Sequence, residues 1–128
     1  MKFAEIVIIK EALEKISLGH LTFAFEIAKN LRICNKVIDE TMSVVKDLQR
    51  QFLDKDERGE IMVHKDEKGQ DTMKISDPSK LLQYQNAVRK LEEEEHGMAF
   101  LTIHKSKIEA EKFAAVEIIP LVDVIIIE

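Results

Sequence analysis

Residues 54–65 contain part of the ligand spacing of an EF-hand calcium loop. Asp54, Asp56 and Gly59 occupy the first, third and sixth positions after a long predicted helix, as such a loop requires. The fifth and twelfth positions are Arg58 and Lys65, where the motif needs an oxygen donor and a bidentate carboxylate. Because these two cations would remove ligands and repel a metal, we interpret the segment as a solvated turn and predict no cofactor.

The single cysteine and the four histidines are the other candidates for metal binding or nucleophilic catalysis. Cys34 falls at a core position of a heptad pattern, where a small buried apolar residue is expected. The histidines, at positions 20, 64, 96 and 104, lack the spacing of a zinc site. The sequence contains no Gly-rich phosphate loop, GxSxG elbow or HExxH motif. We predict that the chain is not an enzyme, and a reactive pair of Cys34 with a histidine is the alternative.

Composition argues against nucleic acid and membrane as partners. The 128 residues carry a formal net charge of −5, and the basic residues are interleaved with acids, whereas nucleic-acid binders cluster their cations. The acidic run at Glu92–Glu95 could mimic nucleic acid, but such runs are usually solvated helix faces. The apolar end of the chain is interrupted by Glu117, Pro120 and Asp123, and it is shorter than a membrane span. With a lone cysteine and no secretory signal pattern, we predict a cytoplasmic location.

Periodicity and turn residues divide the chain into six segments of one domain, and we find no internal repeat. Residues 3–9 would also suit a short strand, but the longer pattern favours a helix. Asp77 before Pro78 is a typical helix start. The predicted segments are a helix at 3–18, a long helix at 21–53, a β-flap at 60–75, a helix at 78–95, a strand at 98–103 and an apolar tail at 112–128.

The long helix has an apolar stripe that is longer than its expected cover. At 1.5 Å per residue it spans roughly 45 Å, whereas the 78–95 helix spans roughly 27 Å. The shorter helix can cover the half nearest Phe52, and the half nearest Leu21 needs the 3–18 helix, the tail or a second copy of the chain. We therefore predict a self-association seam that consists of Ala24, Ile27, Leu31, Cys34, Ile38, Val45, Leu48 and Phe52.

These segments predict an α+β fold, mainly α, with a long antiparallel helical hairpin, a β-hairpin flap and a small strand and short-helix C-terminal segment. The long helix runs into DKDERGEIMV, then DEKG, a capped helix ending EEEEHG, the segment MAFLTI and finally EIIPLVDVIIIE. This order resembles a group of small, functionally uncharacterised bacteriophage and prophage proteins, over roughly residues 21–128. The resemblance implies a viral or prophage origin and carries no site residues over. The helical hairpin is also similar in architecture to prefoldin subunits, although the shorter second helix and the apolar tail depart from that plan.

The expected function is therefore non-catalytic. We expect a phage-encoded protein that self-associates and binds a viral or host protein, as an assembly factor or minor structural component in the host cytoplasm or the virion. One alternative is an inhibitor of a host enzyme or defence system. Another is a prefoldin-like holding chaperone.

Overall fold

The computed structural model describes residues 1–17, 23–110 and 118–128. It is mainly helical and has two small sheets of two strands each, which confirms the predicted α+β, mainly α class. The chain divides into two compact units. The core unit comprises Met1–Glu40 with Glu94–Glu128, and the flap unit comprises Thr41–Glu93.

Helix α1 (Phe3–Ser17) supplies much of the core unit's apolar interior. Ile6, Ile9, Leu13 and Ile16 are all buried, and their spacing of three and four residues places them on one helical face. Residues 3–9, which could also have formed a strand, are helical because they continue this pattern. Leu18, the last residue of the predicted helix, lies outside the described residues.

Helix α2 (Ala24–Phe52) begins and ends within the predicted range of 21–53, and residues 21 and 22 lie outside the described part. It contributes residues 24–40 to the core unit and residues 41–52 to the flap unit. The helix stops because the Asp54 amide donates to the carbonyl of Lys74, at 3.0 Å, instead of continuing the helical ladder.

The flap contains the antiparallel strands β1 (His64–Lys65) and β2 (Asp71–Thr72), with His64 opposite Thr72. Its ladder is shorter than the predicted 60–75 segment, and its pairing starts earlier, with a bridge between Lys55 and Ile61. Two successive turns, around Gly59 and Gly69, occupy residues that would otherwise extend the strand pairing. The predicted flap is therefore present, but turns rather than strands make up most of it.

Helix α3 (Pro78–Glu93) follows the flap. The Asp77 carboxylate accepts a hydrogen bond from the Ser79 amide at 2.9 Å, which confirms the predicted capping residue. The helix ends two residues before the predicted Glu95. The amide of His96 donates to the carbonyl of Met1, at 2.9 Å, rather than to a helical carbonyl.

The prediction of a strand at 98–103 is wrong over most of its length. Of these residues only Ile103 belongs to a strand, β3 (Ile103–His104), which pairs in parallel with β4 (Ile126–Ile127). The buried side chain of Asn30 replaces the missing ladder at Leu101. Its Nδ2 donates to the Leu101 carbonyl and its Oδ1 accepts from the Leu101 amide, both at 2.8 Å. A carboxamide thus pairs with a peptide group where an alternating sequence predicts another strand.

The C-terminal segment closes the core unit. It has a short helix, α4 (Lys105–Ala110), and a 3-10 helix, Ile119–Leu121, which includes Pro120. Residues 112–117 of the predicted tail lie outside the described residues. Leu121 and Ile125 are fully buried, so the described part of the predicted 112–128 tail packs into the core. Among the described residues, no helix combines the length and apolar character that crossing a membrane requires.

Candidate interaction surface

Asp54 is the hydrogen-bonding centre of the flap unit. One carboxylate oxygen accepts from the Ser76 amide at 2.9 Å. The other accepts from the Ser76 hydroxyl and lies 3.1 Å from His64 Nε2. Its backbone carbonyl accepts from the Met62 amide at 2.8 Å. Asp54, two residues after the end of α2, therefore binds the chain on both sides of the flap, at Met62 before β1 and at Ser76 after β2.

These donors also determine the charge state of Asp54. The hydroxyl and the amide of Ser76 hold the pKa of the Asp54 carboxyl below its usual range, and His64 adds to the effect. Hydrogen bonds to a carboxylate favour its ionised form. Asp54 is therefore an anionic anchor at neutral pH.

The three side chains form no catalytic triad, although they are an aspartate, a histidine and a serine. The Ser76 hydroxyl donates to Asp54 rather than to His64. A serine nucleophile needs a base that accepts its proton, with the carboxylate behind that base. Here the carboxylate contacts both partners, so the arrangement fixes the flap and does not activate Ser76.

The flap contains a short internal repeat, which corrects our reading of the sequence. Lys-Asp-Glu-Arg-Gly at 55–59 is followed ten residues later by Lys-Asp-Glu-Lys-Gly at 65–69. In each copy the aspartate side chain, Asp56 or Asp66, accepts from two amides of its own turn, and the glycine amide donates to the aspartate carbonyl. Gly59 and Gly69 have φ values of 80° and 75°, which glycine adopts most readily.

The same hydrogen bonds occupy the EF-hand candidates. The carboxylate of Asp54 contacts Ser76 and His64, and Oδ1 of Asp56 accepts from the amides of Arg58 and Glu60. Within the described residues, no group of three or more His, Cys, Asp or Glu side chains could hold a metal ion. The segment is built as a turn.

Cys34 is buried in the core unit. Burial raises the pKa of its thiol to about 11, so the thiol is protonated at neutral pH and is a poor nucleophile. His64 contacts Asp54, His104 is exposed on β3, and His96 Nε2 is buried with no hydrogen-bond partner among the described residues. His20 lies outside the described residues.

The apolar side chains of the flap unit are half-buried or exposed. Within Thr41–Glu93, all of which the structure describes, Thr41 is the one buried residue and no hydrophobic side chain is buried. Val63, Met73 and Leu82 are 60%, 58% and 57% exposed. Exposed apolar side chains that form a contiguous patch mark protein-binding surfaces, and these three are the candidates for such a patch in this unit.

An open groove of about 270 Å³ lies within this unit. Its apolar lining includes Leu53 and Ile75 from the two arms of the flap, and Leu81 and Tyr84 from α3. Met73 lines the groove and is also one of the most exposed hydrophobic residues. We call the exposed apolar set Val63, Met73, Leu81 and Leu82 the flap surface.

Sequence reasoning missed the flap surface because it followed periodic positions. Leu82 adjoins Leu81 on α3, whereas a helical stripe places apolar residues three or four positions apart. Val63 and Met73 lie outside the helices and strands. The sequence did contain a signal for this surface, namely apolar residues at positions where a regular pattern predicts polar ones.

The residues of the predicted seam differ in burial. Ile27 and Cys34 are buried in the core cluster, together with residues of α1 and the C-terminal segment, which are the elements expected to cover that half. Ala24 is exposed. The remaining seam residues are half-buried and comprise Leu31, Ile38, Val45, Leu48 and Phe52.

Comparison of the chain with protein-family models, with curated proteins and with solved structures found no match.

Proposed function

We propose that this chain is a non-catalytic protein that self-associates and binds another protein, as a phage-encoded assembly factor or minor structural component in the host cytoplasm or the virion. The observation that carries the proposal is the flap unit, in which no hydrophobic side chain is buried. Burying apolar area contributes about 25 cal/mol per Å², and a second copy offers the same apolar surface. A symmetric contact between two flap surfaces is therefore the simplest way to bury them.

Charge does not oppose such a contact. Residues 41–93 contain ten basic and eleven acidic side chains. Two copies of a nearly neutral surface repel each other weakly, because exposed charges are screened by salt. The larger part of the chain's net charge of −5 lies outside this unit.

The proposal includes an antiparallel hairpin of α2 and α3. The rings of Phe52 and Tyr84 support it, with centroids 6.3 Å apart and an interplanar angle of 58°. Such tilted ring pairs are a favourable aromatic geometry. Phe52 belongs to the predicted seam, so this pair is where the seam would meet the second helix.

Sedimentation equilibrium over a range of protein concentrations tests the proposal. The variant Val63→Ser/Met73→Gln/Leu82→Gln replaces exposed side chains, so its monomer should remain folded. We expect its self-association to be at least about ten-fold weaker than that of the wild type.

The matched control replaces three exposed apolar residues of the core unit, as Ile8→Gln/Ile119→Gln/Val122→Ser. It should associate as the wild type does. A wild type that stays monomeric at every concentration, or a control that loses association as strongly as the flap variant, contradicts the proposal.

A further inference from the structure

The first three turns of α2 carry a charged and aromatic stripe on the face opposite the core. Phe25, Lys29, Arg32 and Lys36 are all exposed, and their spacing of four, three and four residues places them on one helical face. The buried residues Ile27 and Cys34 lie on the other side of the same helix. We call these four residues the basic stripe.

Phe25 is the anchor of the basic stripe. Its side chain is 69% exposed, the highest value among the large hydrophobic residues of the described part. Lys29 Nζ lies 5.9 Å from the centre of the ring, and Ala28 beside them opens a groove of about 180 Å³. Phenylalanine and arginine are both enriched at protein interfaces.

The cations of the basic stripe lie in a stretch of this acidic chain that contains no acidic side chain. No ion pair within the described residues involves Lys29, Arg32 or Lys36. From residue 27 to residue 38 the sequence contains no acidic side chain. The stripe is therefore a local positive surface, bounded by Glu26 at one end and by Asp39 and Glu40 at the other, on a chain of net charge −5.

The charge of the stripe restricts its partner. Two stripes facing each other across a symmetric contact would place cations against cations, which is unfavourable. The three cations span roughly 10 Å of helix, which is a small footprint for nucleic acid. The complementary surface is a short acidic segment.

This chain contains such a segment at Glu92–Glu94. All three side chains are exposed, and within the described residues none of them forms an ion pair. The next residue, Glu95, accepts from the amino group of Met1. We propose that the basic stripe of one copy binds the Glu92–Glu94 segment of a second copy.

The contact joins two different surfaces. Repeated head to tail it is heterologous, and an open chain of such contacts leaves one stripe and one acidic segment unoccupied at its ends. Heterologous contacts build rings or open chains. Combined with the symmetric contact of flap surfaces, they would extend a dimer into a larger assembly. The inference rests on the proposed self-association and names a second surface for it.

Charge exchange tests the pairing. Lys29→Glu/Arg32→Glu/Lys36→Glu and Glu92→Lys/Glu93→Lys/Glu94→Lys each place like charges at the contact. By sedimentation velocity at low salt, we expect assembly beyond the dimer to be about ten-fold weaker for each variant alone. An equimolar mixture of the two should associate again, because the reversed charges are complementary.

The control Lys2→Glu/Lys105→Glu/Lys107→Glu has the same net charge as the basic-stripe variant, and its three residues are exposed in the core unit. It should assemble as the wild type does. A mixture that fails to associate, or a control that weakens equally, overturns the pairing.

Two further measurements separate the possible failures. A fluorescently labelled oligo-dT that binds the wild type but not the basic-stripe variant would overturn the pairing in favour of nucleic acid. If the flap variant loses association while both charge variants keep it, the pairing is wrong and the proposed function stands. If the wild type is monomeric throughout, the proposed function itself is wrong.

Discussion

The two units of this chain are stabilised in different ways. The core unit buries aliphatic side chains from α1, α2 and the C-terminal segment, and each fully buried Leu or Ile contributes about 1.5–3 kcal/mol. The flap unit has no fully buried hydrophobic side chain. Half-buried ones such as Phe52 and Tyr84, together with hydrogen bonds around Asp54 and in two tight turns, hold it together. An intramolecular hydrogen bond contributes only about 1 kcal/mol net. The proposed self-association would add to the flap unit the apolar burial that the core unit already has.

The largest expected difference between the units is in the cost of removing a leucine. Leu13→Ala creates a cavity in the core unit and should lower the free energy of unfolding by about 2–5 kcal/mol. Leu48→Ala, at a half-buried position of the flap unit, should cost about 1 kcal/mol or less. Urea denaturation at low protein concentration measures both. Equal losses of unfolding free energy in the two variants would contradict the claim that the two units are stabilised differently.

A buried polar contact should give the next largest effect. Asn30→Leu keeps the size of the side chain but leaves the amide and carbonyl of Leu101 without their partner, which should cost about 2 kcal/mol. Asn35→Leu is the matched control on the same helix, and it should change stability by less than about 0.5 kcal/mol. If both variants unfold at the same urea concentration, Asn30 does not replace a strand at Leu101.

The two repeated turns should respond equally to substitution. Gly59→Ala and Gly69→Ala each introduce a side chain at a positive φ with no atom within 4 Å of the new Cβ, so each should cost about 1 kcal/mol from backbone strain alone. Gly97→Ala also meets no atom within 4 Å, and Gly97 has no positive φ. Its thermal unfolding should match that of the wild type. Unequal effects at 59 and 69 would show that the turns are not equivalent.

The smallest effect concerns the charge of Asp54. Because its pKa is lowered in the folded chain, its ionised form stabilises the flap above the unfolded pKa of about 3.9, and this contribution is lost as the pH falls through the folded value. Asp54→Asn keeps an acceptor but removes the charge. We expect several-fold faster hydrogen exchange at the Ser76 amide near neutral pH. If the Ser76 amide of Asp54→Asn shows the same change of exchange rate at acidic pH as the wild type, that change is caused by a group other than Asp54.

Local signals in the sequence predict much of this fold. The pattern of Ile6, Ile9 and Leu13 identifies α1, and Asp77 before Pro78 identifies the start of α3. These features depend on neighbours within one or two helical turns, which a sequence displays directly. The repeat at 55–59 and 65–69 is also present in the sequence, but its length of five residues makes it easy to overlook.

Long-range contacts could not be predicted in the same way. The replacement of a strand at Leu101 by Asn30 joins residues 71 positions apart, and no local pattern records such a pairing. The amphipathic pattern of α2 shows which face is apolar, but not which part of it the chain covers. Val63, Met73 and Leu82 are candidates because of their exposure in the folded chain, which no local pattern predicts. The self-association of the predicted seam stays a prediction.

Hydrogen exchange of the wild-type chain, followed by mass spectrometry over a range of protein concentrations, tests the central claim most directly. Amides of 41–93 should exchange more slowly as the concentration rises, because association covers the flap surface, while the buried amides of α1 keep one rate throughout. Exchange in the flap unit that is equally slow at every concentration, including those at which the chain is monomeric, would contradict the account.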